Sequence, residues 1–185
     1  MNSTKIKKNL AIIILLITDL ISLILIFELA KAIRLYILPD IISLPPFTHK
    51  AISYIWIFPI YIMIFFYEKL YFKTFPLWDE IKIIIRSIII SFIIILSILF
   101  LGKLSETYSR TLIIIFNTFL IFLFPVIRTE IKKLLYRSDL LVKKALIIGS
   151  NGLAKDIYSS LKKETNLCYK IRGFIDDINV SKNIE

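Results

Sequence analysis

Residues 83–101 read IIIRSIIISFIIILSILFL, an apolar run broken by a single charge, Arg86, one turn from its start. As an α-helix at 1.5 Å per residue this stretch is about 28 Å long, the thickness of a bilayer's hydrocarbon core. The isoleucine content favours a strand on propensity alone. A strand this uniformly apolar, however, has no alternating face to turn toward a barrel lumen. A helix satisfies its own backbone hydrogen bonds in lipid, which an open strand cannot do. A transmembrane helix is therefore expected here, and the rest of the chain can be placed around it.

The apolar excess is not confined to that run. The 185 residues are 57% hydrophobic, with a mean hydropathy of +0.78, against about 45–50% apolar in ordinary soluble domains. Most of the excess lies in residues 10–29, 52–67, 83–101 and 111–127. This predicts an all-α polytopic membrane domain of four transmembrane helices over residues 1–128, the helices at about 10–34, 52–70, 79–101 and 109–127. The net charge of +10 is carried by basic residues at the ends of these segments. A nucleic-acid surface would gather them on one soluble face, so no nucleic-acid partner is expected. Cys168 is the only cysteine and His49 the only histidine, which excludes an internal disulfide and a cysteine metal cluster.

Taken in order, Lys5, Lys7 and Lys8 precede the first segment as they would in a signal peptide, and Ala30-Lys31-Ala32 offers a small-x-small triplet. The apolar run is longer than a signal core and more hydrophobic segments follow, so a retained helix is the reading. Asp19 falls near its middle, where a carboxylate costs about 2.5–3.5 kcal/mol on insertion. The Ile, Leu and Phe residues around it, at about −0.3 to −0.6 kcal/mol each, outweigh that. Asp19 should face the bundle interior, as a headgroup or proton site or in a helix–helix hydrogen bond, with Asn117 as the partner expected. Glu28 and Lys31 form an i,i+3 pair at the far interface. Pro39, Pro45 and Pro46 break the helix, and Pro59 is expected to kink the second one. Pro76-Leu77-Trp78-Asp79-Glu80 starts the third, with Asp79 and Glu80 read as acidic residues suited to a helix N-terminus and Trp78 at headgroup level. Ser87 and Ser91 share a face that admits a neighbouring helix.

Counting bases by side sets the orientation. The N-terminal lysines, Lys69, Lys73, Lys82 and the run after the fourth helix outnumber Lys31, Arg34, Lys50, Lys103 and Arg110. Both termini are thus expected in the cytoplasm of a multi-pass protein.

Beyond a basic linker helix at 129–143 the pattern changes, and residues 144–185 read as a partial, incomplete Rossmann-like α/β unit. A short strand at 145–148 runs into Gly149-Ser150-Asn151-Gly152-Leu153-Ala154, an amphipathic helix to about Lys163, and a second strand at 170–175 ending in Asp176. That is a β-α-β unit with a degenerate dinucleotide fingerprint. Gly149 and Ala154 fit it, Asn151 replaces the middle glycine, Gly152 lies between, and Asp176 stands where a ribose-binding acid would. Gly149, Asn151, Gly152, Ala154 and Asp176 are therefore weak candidates for nucleotide contact, and use of the pattern for folding alone is the alternative. A sheet of this kind needs more units to cover both faces, so an N-terminal fragment of a longer protein is expected.

The order of the four apolar segments, the loop phrase YEKLYFKTFPLWDEIK, the turn FLGKLSETYSR and the tail KKALIIGSNGLAKDIY…GFIDD together resemble the N-terminal part of the polytopic polyprenyl-phosphate sugar-1-phosphate transferases. That family includes the undecaprenyl-phosphate galactose phosphotransferases. The resemblance implies a parent enzyme that moves a sugar 1-phosphate from a nucleotide sugar to undecaprenyl phosphate at the bacterial inner membrane. This step begins O-antigen (lipopolysaccharide), capsule or exopolysaccharide synthesis. It implies a catalytic Asp-Glu pair with Mg²⁺ in a C-terminal domain to which nothing here corresponds, so these residues should carry no catalytic residue, cofactor or turnover. Membrane lipid is the expected partner, with undecaprenyl phosphate, a nucleotide and a homo-oligomer left open. Membrane-bound nucleotide-sugar 4,6-dehydratases or epimerases resemble the same front end, but need a second glycine fingerprint and a Tyr-x-x-x-Lys pair. A non-catalytic membrane scaffold is a third alternative.

Overall fold

The computed structural model describes residues 2–40, 54–103, 108–138, 140–149, 152–163 and 165–175. Four helices come first: α1 (Asn2–Tyr36), α2 (Ile57–Tyr67), α3 (Leu77–Leu101) and α4 (Arg110–Arg137). They are followed by β1 (Lys143–Ile148), α5 (Gly152–Lys163) and β2 (Tyr169–Ile175). Three helical stretches, Asn9–Tyr36, Leu77–Leu101 and Arg110–Arg137, are long and apolar enough to cross a membrane. α2 is apolar but has only 11 residues, and residues 41–53, including His49 and Pro45-Pro46, lie outside the described part.

Each long helix carries a buried stripe at helical spacing. On α1 it runs through Leu15, Asp19, Leu23, Phe27 and Ala30, and on α3 through Glu80, Ile84, Ser87, Ser91, Ile95 and Leu99. On α4 it passes Phe116, Leu120, Phe124, Arg128, Lys132 and Leu135. Ile13, Ile17, Leu25, Ile93, Phe100 and Phe122 point outward and are exposed, the outward apolar surface a helix presents to lipid.

Hydrogen bonds fix the two ends of the bundle. At one end Tyr54 Oη accepts from the Ser109 amide at 3.0 Å, and Trp56 Nε1 donates to the Tyr108 hydroxyl at 3.2 Å. There Phe27 also packs its ring against Tyr54, Phe58 and Phe116. At the other end the Leu70 carbonyl accepts from Arg128. The segment from Tyr54 to Leu70 therefore runs from one end of the bundle to the other, although only its middle is regular α-helix. Between them Tyr61 Oη meets Asn117 Oδ1 at 2.6 Å, both groups buried. Tyr61→Phe is expected to lower stability by about 1 kcal/mol, read as a fall in thermal unfolding temperature in detergent.

Three expectations change. Pro59 does not kink α2: it is the third helical residue, where the amide has no intrahelical acceptor to lose. The fourth helix does not stop near 127 to be followed by a separate linker helix. α4 continues unbroken through Pro125 to Arg137, and Thr129 Oγ1 bonds the Pro125 carbonyl. α1 likewise reaches beyond the expected 10–34 at both ends.

β1 and β2 pair in parallel, Lys143 opposite Tyr169 through Ile148 opposite Ile175, with α5 as the crossover. The register shifts between Ala145, opposite Ile171, and Leu146, opposite Gly173, so Arg172 is the extra residue of a bulge. The Gly149 amide closes the end of the pair on the Ile175 carbonyl at 2.7 Å.

Candidate functional site: a buried ion cluster beneath a basic cavity

Arg128 is the centre of the site. It is 1% exposed, and its guanidinium reaches partners on two other helices and on the segment after α2. Nη1 donates to Asp19 Oδ2 on α1, Nε to Glu80 Oε1 on α3 at 3.1 Å, and Nη2 to the Leu70 carbonyl at 2.8 Å. The Tyr71 ring lies 5.2 Å from the guanidinium carbon. One helical turn on, Lys132 Nζ donates to Glu80 Oε2 at 2.6 Å. Two carboxylates and two cations thus balance in a buried site. The planar fork of arginine suits such convergent acceptors, which a lysine at 128 could not serve together.

This cluster also carries the contact to the β-α-β unit. Asn166, in the turn between α5 and β2, donates from Nδ2 to Glu80 Oε2 at 3.3 Å and is itself buried. Tyr136 at the end of α4 donates to the Tyr169 carbonyl at 3.3 Å, and Lys143 Nζ donates to Thr74 Oγ1 at 2.9 Å. Cys168 is fully buried behind Asn166, and burial pushes its thiol pKa up. Burial does the same for the Tyr71 phenol, and the nearby Asp19 carboxylate adds to it.

The cluster corrects two expectations. Asp19 does bond across helices, but to Arg128; Asn117 instead pairs with Tyr61 and with the Ile113 carbonyl. Through Arg128, Asp19 sits level with Glu80 in the first turn of α3, not halfway along the bundle. Glu80 is not simply a residue suiting a helix N-terminus: it turns inward, while Asp79 stays exposed and approaches Lys82 at 3.7 Å.

Beside the cluster lies a cavity of about 610 Å³. Lys7, Lys73, Lys143, Lys144, Lys170 and Arg172 line it, together with Lys132 from the cluster. Among the described residues, no Asp or Glu lines it. Lys7, Lys73, Lys132, Lys143 and Lys144, counted together by charge in the sequence, thus meet in one place.

The glycine turn is placed differently. Gly149 follows β1 with φ +108°, Gly152 begins α5, and Ala154 is buried in its first turn; Asn151 and Asp176 lie outside the described residues. A methyl group built on Gly149 or Gly152 would meet no atom within 4 Å. The positive φ is what requires glycine at 149. Gly149→Ala should cost about 1–3 kcal/mol of local strain, measured as faster hydrogen exchange at the end of β1. Among the described residues no group of three or more His, Cys, Asp or Glu could hold a metal ion.

The CoA-binding domain family matches residues 67–184, and the chain belongs to that family. The matched region begins at the end of α2, so it includes α3, α4 and the ion cluster as well as the β-α-β unit. The chain is 34% identical over 110 residues to an uncharacterized sugar transferase of Haemophilus influenzae, covering 60% of this chain and 23% of that protein. It is 33% identical over 101 residues to the undecaprenyl-phosphate galactose phosphotransferase of Salmonella typhimurium, covering 55% of this chain and 21% of that one. These relatives support the family resemblance seen in the sequence, that of the polyprenyl-phosphate sugar transferases. The matches span less than a quarter of each relative's length.

Proposed function

We propose that these residues form the N-terminal membrane anchor and regulatory region of a bacterial enzyme that transfers a sugar 1-phosphate from a nucleotide sugar to undecaprenyl phosphate, the first step of exopolysaccharide, O-antigen or capsule assembly. The observation that carries this reading is the similarity to two sugar transferases in a chain with three long apolar helices among its described residues. The bundle crosses the inner membrane four times, the Tyr54–Leu70 segment supplying the second crossing. Both termini then lie on the cytoplasmic side, in agreement with the excess of bases there. The β-α-β unit is the start of a larger Rossmann-like domain, and the exposure of Ile148, Leu146 and Phe174 suits further cover from the same protein. The Mg²⁺-dependent transfer itself belongs to a separate catalytic domain.

The test is a membrane assay with nucleotide sugars labelled in the sugar, undecaprenyl phosphate and Mg²⁺. Protein expressed with its downstream reading frame should move label into the solvent-extractable lipid and release the nucleoside monophosphate; residues 1–185 alone should do neither. Release by the 185 residues would contradict the assignment of catalysis elsewhere. Dehydration or epimerisation of the free nucleotide sugar, without lipid labelling, would replace this reading with a dehydratase or epimerase.

A further inference from the structure

α1 overshoots the rest of the bundle. Arg128 holds Asp19 level with Glu80 in the first turn of α3, yet α1 runs on unbroken from Asp19 back to Asn2. At 1.5 Å per residue, Ile17 lies about 3 Å and Ile6 about 20 Å beyond the ion cluster. Charged side chains on α3 mark where lipid ends on that side. Asp79 and Lys82 are exposed within its first two turns, and Arg86 is exposed one turn further in. Exposed charges stay out of hydrocarbon, so residues 6–17 of α1 project past it on the cytoplasmic side. Being continuous with the spanning part, this stretch cannot lie flat in the interface as a surface helix does.

A row of aliphatic side chains runs along the projection. Ile6, Leu10, Ile13 and Ile17 are exposed, and steps of four, three and four residues place them on one face of the helix. It is the face opposite Ile12 and Leu15, which line the cavity. Leu20 and Ile24, also exposed, continue the row into the membrane at steps of three and four. Ile6 is the only apolar residue between Asn2 and Asn9 and falls on the row, whereas Thr18, Asp19 and Ser22 fall off it. Alternating steps of three and four residues form the heptad seam along which one helix packs on another.

A contiguous aliphatic surface in water marks an interface. Lipid can cover Leu20 and Ile24 but not the row from Ile6 to Ile17. A cytoplasmic domain can reach that part but not Leu20 and Ile24. A second α1 covers the whole row. Every copy crosses the bilayer in the same sense, so two copies meet with their first helices parallel. A two-fold axis along the membrane normal then sets each row against itself. We propose that α1 is the dimerisation helix of this protein, the row from Ile6 to Ile24 packing on the same row of a second copy from the cytoplasm into the bilayer. The inference rests on the membrane crossing proposed above and not on the transferase activity.

The test is disulfide cross-linking of the full chain in isolated membranes, in a Cys168→Ser background. Facing seam positions of a parallel pair fall within disulfide reach, so Ile6→Cys, Ile13→Cys and Ile17→Cys should each give a covalent dimer with copper phenanthroline. Lys7→Cys, exposed at the same height a quarter-turn away, should cross-link several-fold less. In neutral detergent the wild-type chain should have the mass of two copies by light scattering, and the Leu10→Glu, Ile13→Glu double variant that of one. Retention of the chain in carbonate-washed membranes checks the membrane crossing separately, so failure of the pairing is distinct from failure of the crossing. Cross-linking as strong at Lys7→Cys, none along the row in membranes that retain the chain, or a wild type with the mass of one copy would each overturn the proposal.

Discussion

Replacing Arg128 with Met is expected to destabilise the protein by about 3–5 kcal/mol, the cost of removing one partner from a buried charge pair. The loss exceeds the net worth of the interactions, because Asp19 would remain as an uncompensated carboxylate, 1% exposed. Glu80 would keep only Lys132 and Asn166. The measurement is thermal unfolding of the detergent-solubilised protein, followed by near-ultraviolet circular dichroism. A second substitution gives the prediction its direction. Asp19→Asn in the Arg128→Met background removes the stranded charge and leaves Glu80 and Lys132 balanced, so the double variant should be more stable than the single one. If Arg128→Met unfolds within a degree or so of wild type, the guanidinium is not the centre of the bundle. Arg128→Lys should fall between the two, since it keeps the charge but loses the fork.

The second large effect concerns Glu80. Its two oxygens serve Arg128, Lys132 and Asn166, which belong to α4 and to the turn between α5 and β2. Glu80→Ala leaves Lys132 buried without its carboxylate and Asn166 without the acceptor of its amide. A loss of about 3–5 kcal/mol is expected. It should fall on the attachment of the β-α-β unit more than on the bundle, which keeps Asp19 with Arg128 and Tyr61 with Asn117. Hydrogen exchange should quicken across residues 143–175 while the buried stripe of α3 from Ile84 to Leu99 stays protected. Glu80→Gln, which keeps a hydrogen-bonding side chain but removes the charge, should show a smaller change in the same region.

Much of the fold could be read from periodicity and charge. The apolar runs located α1, α3 and α4, and the strand–glycine–helix–strand pattern located the β-α-β unit to within two residues at its strands. The site was legible only in part, for a physical reason. Charges at the end of an apolar segment usually flank a membrane, so Arg128 and Lys132 were absorbed into a count of bases, and Glu80 into the helix dipole. Their spacing held the stronger signal. Arg128 follows Phe116, Leu120 and Phe124 at four-residue steps, and Lys132 continues the row. Glu80 stands four before Ile84 on the buried stripe of α3, and Asp19 four after Leu15 on that of α1. Charges on the apolar stripe of three helices must pair with one another or leave the core. Which helix supplies which partner depends on their relative heights, and that is tertiary information. Asn166 had no local signal at all, because its role depends on a turn packing against α3 from 86 residues away.

The ion cluster fastens the β-α-β unit to the long helices through Asn166 and Glu80. Cys168, the only cysteine, reports on that junction directly, being fully buried behind Asn166 with its thiol pKa raised by burial. The measurement is the rate of its alkylation by N-ethylmaleimide in isolated membranes, with urea-unfolded protein as the reference. Wild type is predicted to label far more slowly than the unfolded reference, and Glu80→Ala to approach that reference while α1, α3 and α4 stay helical. Labelling of wild-type Cys168 at the unfolded rate, or no acceleration in Glu80→Ala, would contradict the claim.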